Sequence, residues 1–163
     1  MAKVVSLTTT EETKLSEVFP MDNGKVTYSE TVECGNITQA ELFRRSRLWI
    51  TQAVSDNKVL LADKDTGDMV STGIVTVVLP RSEHSAGGIY NFRYNIVIEC
   101  LNRKYRATIS HIEIQEPNSK NTPVESFTMQ SEKNQKELYT GLDKKLKELQ
   151  VSLQQGVKEY KAF

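Results

Sequence analysis

Three stretches of the sequence predict an α+β fold, in which helices cover the apolar face of an antiparallel sheet. The first is residues 88–114, where two alternating runs flank a short polar Leu101-Asn102-Arg103 connection. Tyr90, Phe92, Tyr94, Ile96, Ile98 and Cys100 share one parity, and Asn91, Arg93, Asn95 and Glu99 the other, the pattern of a half-buried strand. Tyr105, Ala107 and Ile109 then alternate with Arg106, Thr108 and Ser110, completing a hairpin with one apolar and one wet face. The second stretch is a helix opening after Gly35-Asn36, and the third is a leucine repeat near the C-terminus.

A chain of 163 residues has the length of a single domain, enough to bury roughly 70% of the surface its unfolded form exposes. Its 21 basic and 21 acidic residues cancel, so no overall field steers it to nucleic acid or an anionic membrane. No apolar run reaches membrane-spanning length, and the Thr-, Glu- and Lys-rich start lacks the continuous apolar core of a signal peptide. Residues 1–17 are predicted to be a mobile N-terminal segment, and 18–163 a single domain.

Asn23-Gly24 supplies a tight turn, because both residues accept positive φ cheaply. A strand over Lys25–Cys34 follows, with Val26, Tyr28, Val32 and Cys34 on its apolar parity. Glu30 shares that parity, either as an edge carboxylate reaching water or as one held in a pocket between sheet and helix. Thr38 and Glu41 have capping-box spacing, and Ile37 and Leu42 hydrophobic-staple spacing, which fixes a helix start. That helix carries Leu42, Ser46, Trp49 and Ala53 on one stripe, widened by Phe43, Ile50 and Val54, and Asn57 is its expected stop. Arg44, Arg45 and Arg47 read as its solvated side. Lys58–Ala62 forms a short strand, and Asp63–Asp68 a turn with a left-handed Gly67 into a strand over Met69–Leu79. The turn lacks the calcium-loop pattern, since Gly67 falls fifth and Ile74 twelfth. At His111 the alternation slips to Ile112 and Ile114, which predicts a bulge. Residues 116–125, with Pro117 and Pro123, read as a linker. A helix over about 129–161 carries Leu138, Leu142, Leu146, Leu149, Leu153, Val157 and Tyr160 at steps of four and three. Gly141 and Gly156 are expected weak points in it, each costing about 1 kcal/mol against Ala.

Catalytic signatures are missing from the sequence. It holds no Gly-rich phosphate loop, paired-cysteine metal motif, nucleophile elbow or HExxH. Cys34 and Cys100 lie on core parity, where a thiolate with His111 as base is disfavoured. The expectation is a protein that is not an enzyme and needs no cofactor or metal.

The segments FPMDNGKVTYSETVECGNITQAELFRRSRLWI, DKDTGDMVSTGIVTV and FRYNIVIECLNRKYRATISHIEI resemble a Bacteroidetes family of unknown function with a TATA-box-binding-protein-like (TBP-like) fold. The likeness covers residues 19–115 and rests on the Phe19-Pro20 pair, the Tyr28 strand, the Glu41–Trp49 helix, the Gly73 strand and the Asn102–Arg106 turn. It implies a β-α-β-β-β-β-α chain with a curved five-stranded antiparallel sheet in the order 1-5-4-3-2 and both helices on one face. It also implies a periplasmic or envelope location, since family members usually carry an export signal. It supplies no activity or catalytic residue. The residues argue against DNA as partner, because the open-face parities are mostly Thr, Ser and Asn rather than wedges and cations.

Two functional readings follow. One is an interaction module of the cell envelope, binding a protein or a second copy through its polar sheet face and through Leu149, Leu153 and Val157, which a sheet of ten-residue strands would leave overhanging. The other is a helix-grip binder of a small ligand, with a cavity lined by Trp49, Tyr90, Phe92 and Tyr94 and Glu30 as its polar contact.

Overall fold

The computed structural model describes residues 14–83, 85–118 and 120–160. Most of the predicted residues 1–17 lie outside that set. The described end of the segment packs against the domain: Leu15 is buried, and its carbonyl accepts from the Phe19 amide at 2.8 Å. Packing of the described residues thus reaches at least to Leu15, three residues ahead of the expected boundary at 18.

In chain order the elements are β1 (Met21–Asp22), β2 (Lys25–Val26), β3 (Tyr28–Glu33), α1 (Gln39–Ala53), β4 (Lys58–Asp63), β5 (Asp68–Leu79), β6 (Gly88–Leu101), β7 (Lys104–Gln115), β8 (Asn121–Pro123) and α2 (Glu132–Lys158). Strands β3-β7-β6-β5-β4 are neighbours in that order and all their pairings are antiparallel, with β8 added to β7. This is the predicted order, with one more strand. β8 escapes a sequence reading because it has three residues and ends in Pro123, and proline is tolerated on an outer strand whose N–H faces away from the ladder.

Asn23 and Gly24, at φ 49° and 74°, close the β1–β2 hairpin as their chemistry requires. The predicted first strand divides at Thr27, whose amide turns to the Pro20 carbonyl at 3.0 Å instead of joining a ladder. Thr38 caps α1, its hydroxyl accepting from the Glu41 amide at 3.2 Å. The helix stops at Val54, three residues early, and Asn57 ends it from a distance by donating its side-chain amide to the Val54 carbonyl at 3.0 Å. His111 sits at φ 54° where the β6–β7 register shifts, so the predicted bulge is present.

Helix α2 is where the fold departs most from expectation. Leu153 and Val157 are buried within this chain and Leu149 is half-buried, so they are not an overhanging surface waiting for another copy. Two physical reasons account for this. The 27 residues of α2 span about 40 Å, and β6, at 14 residues rather than ten, spans about 46 Å. In addition, α1 lies on the same sheet face and covers the second half of α2. Trp49 Nε1 donates to Ser152 Oγ at 2.8 Å, and Arg45 Nη1 donates to the Val157 carbonyl at 2.8 Å. Arg44 and Arg45 both bind Glu41 and stack on the Tyr160 ring at 5.0 and 5.1 Å, so this arginine cluster docks the end of α2 rather than facing only solvent. Burying a Leu or Val side chain is worth about 1.5–3 kcal/mol. That is sufficient reason for the stripe to be used internally.

The two glycines of α2 are contact points. A Cβ at Gly141 would stand 2.7 Å from Val77 Cγ1 of β5, and one at Gly156 would stand 2.9 Å from Trp49 Cδ1 of α1. Gly156→Ala should therefore destabilise the fold by about 1 kcal/mol, because overpacking by 1–3 kcal/mol outweighs the roughly 1 kcal/mol gain in helix propensity. Chemical denaturation of the variant against wild type checks the sign.

Candidate functional site

The helices pack on the face carrying Met69, Ser71, Phe92, Tyr94, Ile96 and Ile98, all buried. The opposite face of the sheet is covered by no described element. Register sets its side chains in rows. One row runs Ser29-Thr108-Val97-Val70-Leu61 from edge to edge, an apolar seam entering a polar margin. The row beside it runs Thr31-Arg106-Glu99-Asp68-Asp63, where the Arg106 guanidinium binds Glu99 through two bonds of 3.0 Å. On the other side of the seam lie Ser110-Asn95-Thr72-Lys58, then Glu113-Arg93-Ile74. Val78 and Ile89, opposite each other at the far end, are 63% and 72% exposed. The alternation of β5 and β6 contained this surface. Its polar residues are evident in the sequence, whereas the seam appears only when register sets Val97, Val70 and Leu61 side by side.

The residues predicted to line one cavity are separated. Glu30 stands in register with Ala107 and, across β7, with Ile98; Tyr94 lies two strands away and four positions along, about 16 Å distant. Glu30 accepts from the Gln154 side-chain amide at 3.0 Å, half-buried at the outer strand beneath α2, and the β3 register runs through it without a bulge. Trp49 is committed to the α1–α2 contact, Phe92 is fully buried and Tyr90 packs over Gly88. Parity assigns Glu30, Tyr90, Phe92 and Tyr94 to a face but not to a place along or across it, so these four strand residues can share a face without sharing a cavity.

Tyr94 and Leu149 do meet, at a different place. Together with Ala53, Asp56, Val75 and Lys145 they line a cleft of about 350 Å³ where the end of α1, the uncovered part of β5 and α2 converge. The Tyr94 hydroxyl is buried and has no hydrogen-bond partner among the described residues. Its ring lies over Gly73, where a Cβ would stand 2.6 Å from the hydroxyl. Burial pushes the Tyr94 phenol well above its ordinary pKa, so it stays protonated.

Both cysteines are buried and unpaired, as expected from their parity. Burial pushes the Cys100 thiol up to about 11 and raises that of Cys34, so neither is a thiolate at neutral pH. Cys100 stands opposite Tyr105, while exposed His111 lies six positions further along β7, about 20 Å away. The fold does not bring that pair together. Among the described residues no group of His, Cys, Asp and Glu is placed to hold a metal ion, and no helix is long and apolar enough to cross a membrane.

Glu125, like Glu30, is a half-buried carboxylate. It accepts from the Val26 amide at 3.3 Å, and desolvation raises its pKa despite that bond. A raised carboxyl pKa means the folded state holds its proton more tightly than the unfolded one. Stability contributed by this group is greatest below the unfolded pKa and falls as pH rises through the folded value. Glu125→Gln should therefore stabilise the protein at pH 7, with the difference from wild type vanishing below pH of about 4. Thermal melts across that range measure it.

Comparison with known proteins places this geometry. No curated protein matches the chain. A DUF4468 family protein from Bacteroides ovatus superposes with a TM-score of 0.72 at 13% identity, over 86% of this chain and 90% of that one. A TBP-like protein from Parabacteroides distasonis gives 0.72 at 21% identity, over 87% and 98%. At those identities the likeness is one of fold. Residues 28–115, from the start of β3 to the end of β7, match the sequence family described as a domain of unknown function with a TBP-like fold, and the chain belongs to that family, DUF4468.

Proposed function

We propose that this protein is a non-enzymatic binding module of the cell envelope that engages a protein partner across the uncovered face of its sheet. The observation that carries this reading is the Val97-Val70-Leu61 seam, an apolar strip bordered by polar rows on a face with no helix over it. Protein interfaces have that composition, an apolar centre within a polar rim. The two arginines of the face support a protein over a nucleic acid, since Arg106 is bound to Glu99 and Arg93 stands opposite Glu113. The envelope location is supported by the family resemblance.

A photo-crosslinking amino acid placed in turn at Val97 and at exposed Lys144 on α2 tests the reading in cells. A discrete protein adduct from Val97 in the periplasmic or membrane fraction, without one from Lys144, is the expected result. Adducts from Lys144 alone, or none from Val97, would contradict it.

The cleft beside Tyr94 favours a second reading, small-ligand binding, because its volume lies at the lower end of ligand pockets and a buried hydroxyl there has no partner among the described residues. Native mass spectrometry of the purified protein decides this through the presence or absence of a discrete co-purified mass.

A further inference from the structure

Strand β4 ends the sheet opposite to β3, so one side of its backbone has no ladder partner among the described residues. Such an edge is a template for another strand, and soluble proteins normally blunt it with charges or proline. Here the middle of the edge is Val59-Leu60-Leu61, three consecutive apolar residues that are 41%, 54% and 49% exposed. The only charges in the strand are at its ends, Lys58 and Asp63.

Those ends are self-complementary for antiparallel pairing, and a bulge makes them so. Residues five apart on a regular strand point to opposite faces. The β4–β5 register shifts between Val59 and Leu61, which leaves Lys58 opposite Thr72 and Asp63 opposite Asp68, both on the uncovered face. Val59 and Ala62, opposite Ser71 and Met69, both fall on the helix side. An antiparallel copy of β4 thus sets Lys58 beside the copy's Asp63 and Val59 beside its Ala62, with Leu60 and Leu61 at the two-fold axis. The Lys58–Asp63 and Val59–Ala62 pairs each share a face, as cross-strand pairs must. The Val97-Val70-Leu61 seam then continues across the axis into its copy.

We propose that two copies of this chain pair edge to edge through β4, joining their sheets into one continuous sheet about a two-fold axis. The contact is isologous, with the same patch on both partners. It leaves the uncovered face available, so it is independent of the protein-binding reading. A six-residue edge is a small interface, at the weak end of specific association, and the measurement has to run from micromolar to submillimolar protein.

Sedimentation equilibrium of the full chain over that range should show a monomer–dimer equilibrium. Lys58→Asp and Asp63→Lys each place like charges opposite one another twice per dimer and should weaken dimerisation about tenfold. The double variant should recover wild-type affinity to within about threefold, because it restores both pairs in reverse. Carbodiimide treatment of mixed ¹⁴N- and ¹⁵N-labelled protein should give mixed-mass Lys58–Asp63 cross-links, since within one chain these side chains stand about 17 Å apart. A monomer at all concentrations overturns the proposal. So does a dimer whose affinity the single charge reversals leave unchanged.

Discussion

Trp49→Ala should destabilise the protein by about 4 kcal/mol, as expected for truncating a buried tryptophan. Trp49 is buried where α1 meets α2, its ring lies against Gly156, and its indole N–H is bonded to Ser152 at 2.8 Å. Truncation opens a cavity at the contact that covers the second half of α2, and leaves Arg45 and the Tyr160 stack to hold that end. Equilibrium unfolding in urea measures the loss. A change below about 1 kcal/mol, the level of an ordinary surface substitution, would mean that the α1–α2 contact does not support the fold.

Gly67→Ala is the second large effect, at about 3 kcal/mol. Gly67 sits at φ 81°, and its carbonyl accepts from the Cys100 amide at 2.8 Å. A Cβ there would lie 2.2 Å from the Cys100 carbonyl oxygen, a backbone atom of β6, paired on both sides in the sheet, that cannot rotate away. Left-handed strain of about 1–2 kcal/mol adds to the overpacking. Gly35→Ala separates the two causes. Gly35 has a similar φ of 62° but nothing within 4 Å of its added Cβ, so only the strain of about 1 kcal/mol should appear. Matching losses for the two variants, measured by the same denaturation, would contradict the steric account.

The sheet was legible because period-two alternation in Tyr90–Cys100 and Tyr105–Ile109 survives in the structure residue by residue, and because Asn23-Gly24, Thr38 and Gly67 each have one inexpensive backbone role. What was illegible depends on where elements lie relative to one another. The stripe on α2 announces that it must be buried and does not say by what; α1, lying beside it, supplies the cover. Gly141 and Gly156 look like helix defects until Val77 and Trp49 are seen against them. The candidate site failed for a related reason. Glu30, Tyr90 and Tyr94 share a sheet face and Trp49 lies on the helix α1 packed against it, while strand order and register keep Glu30 and Tyr94 about 16 Å apart. The β4 edge carried a usable signal, an apolar Val59-Leu60-Leu61 run without alternation. Its meaning depended on learning that β4 has no outer neighbour.

Whether the α2 stripe is used inside the chain is the point on which the functional account turns, since it removes the helix as an interaction surface and leaves the sheet face. Hydrogen exchange of α2 in dilute protein tests it directly. The amides of residues 149–157 should be protected to the same degree as those of 138–146, because both halves are packed. Rapid exchange confined to 149–157, with protection appearing only at high protein concentration, would show instead that this half of the helix waits for a partner.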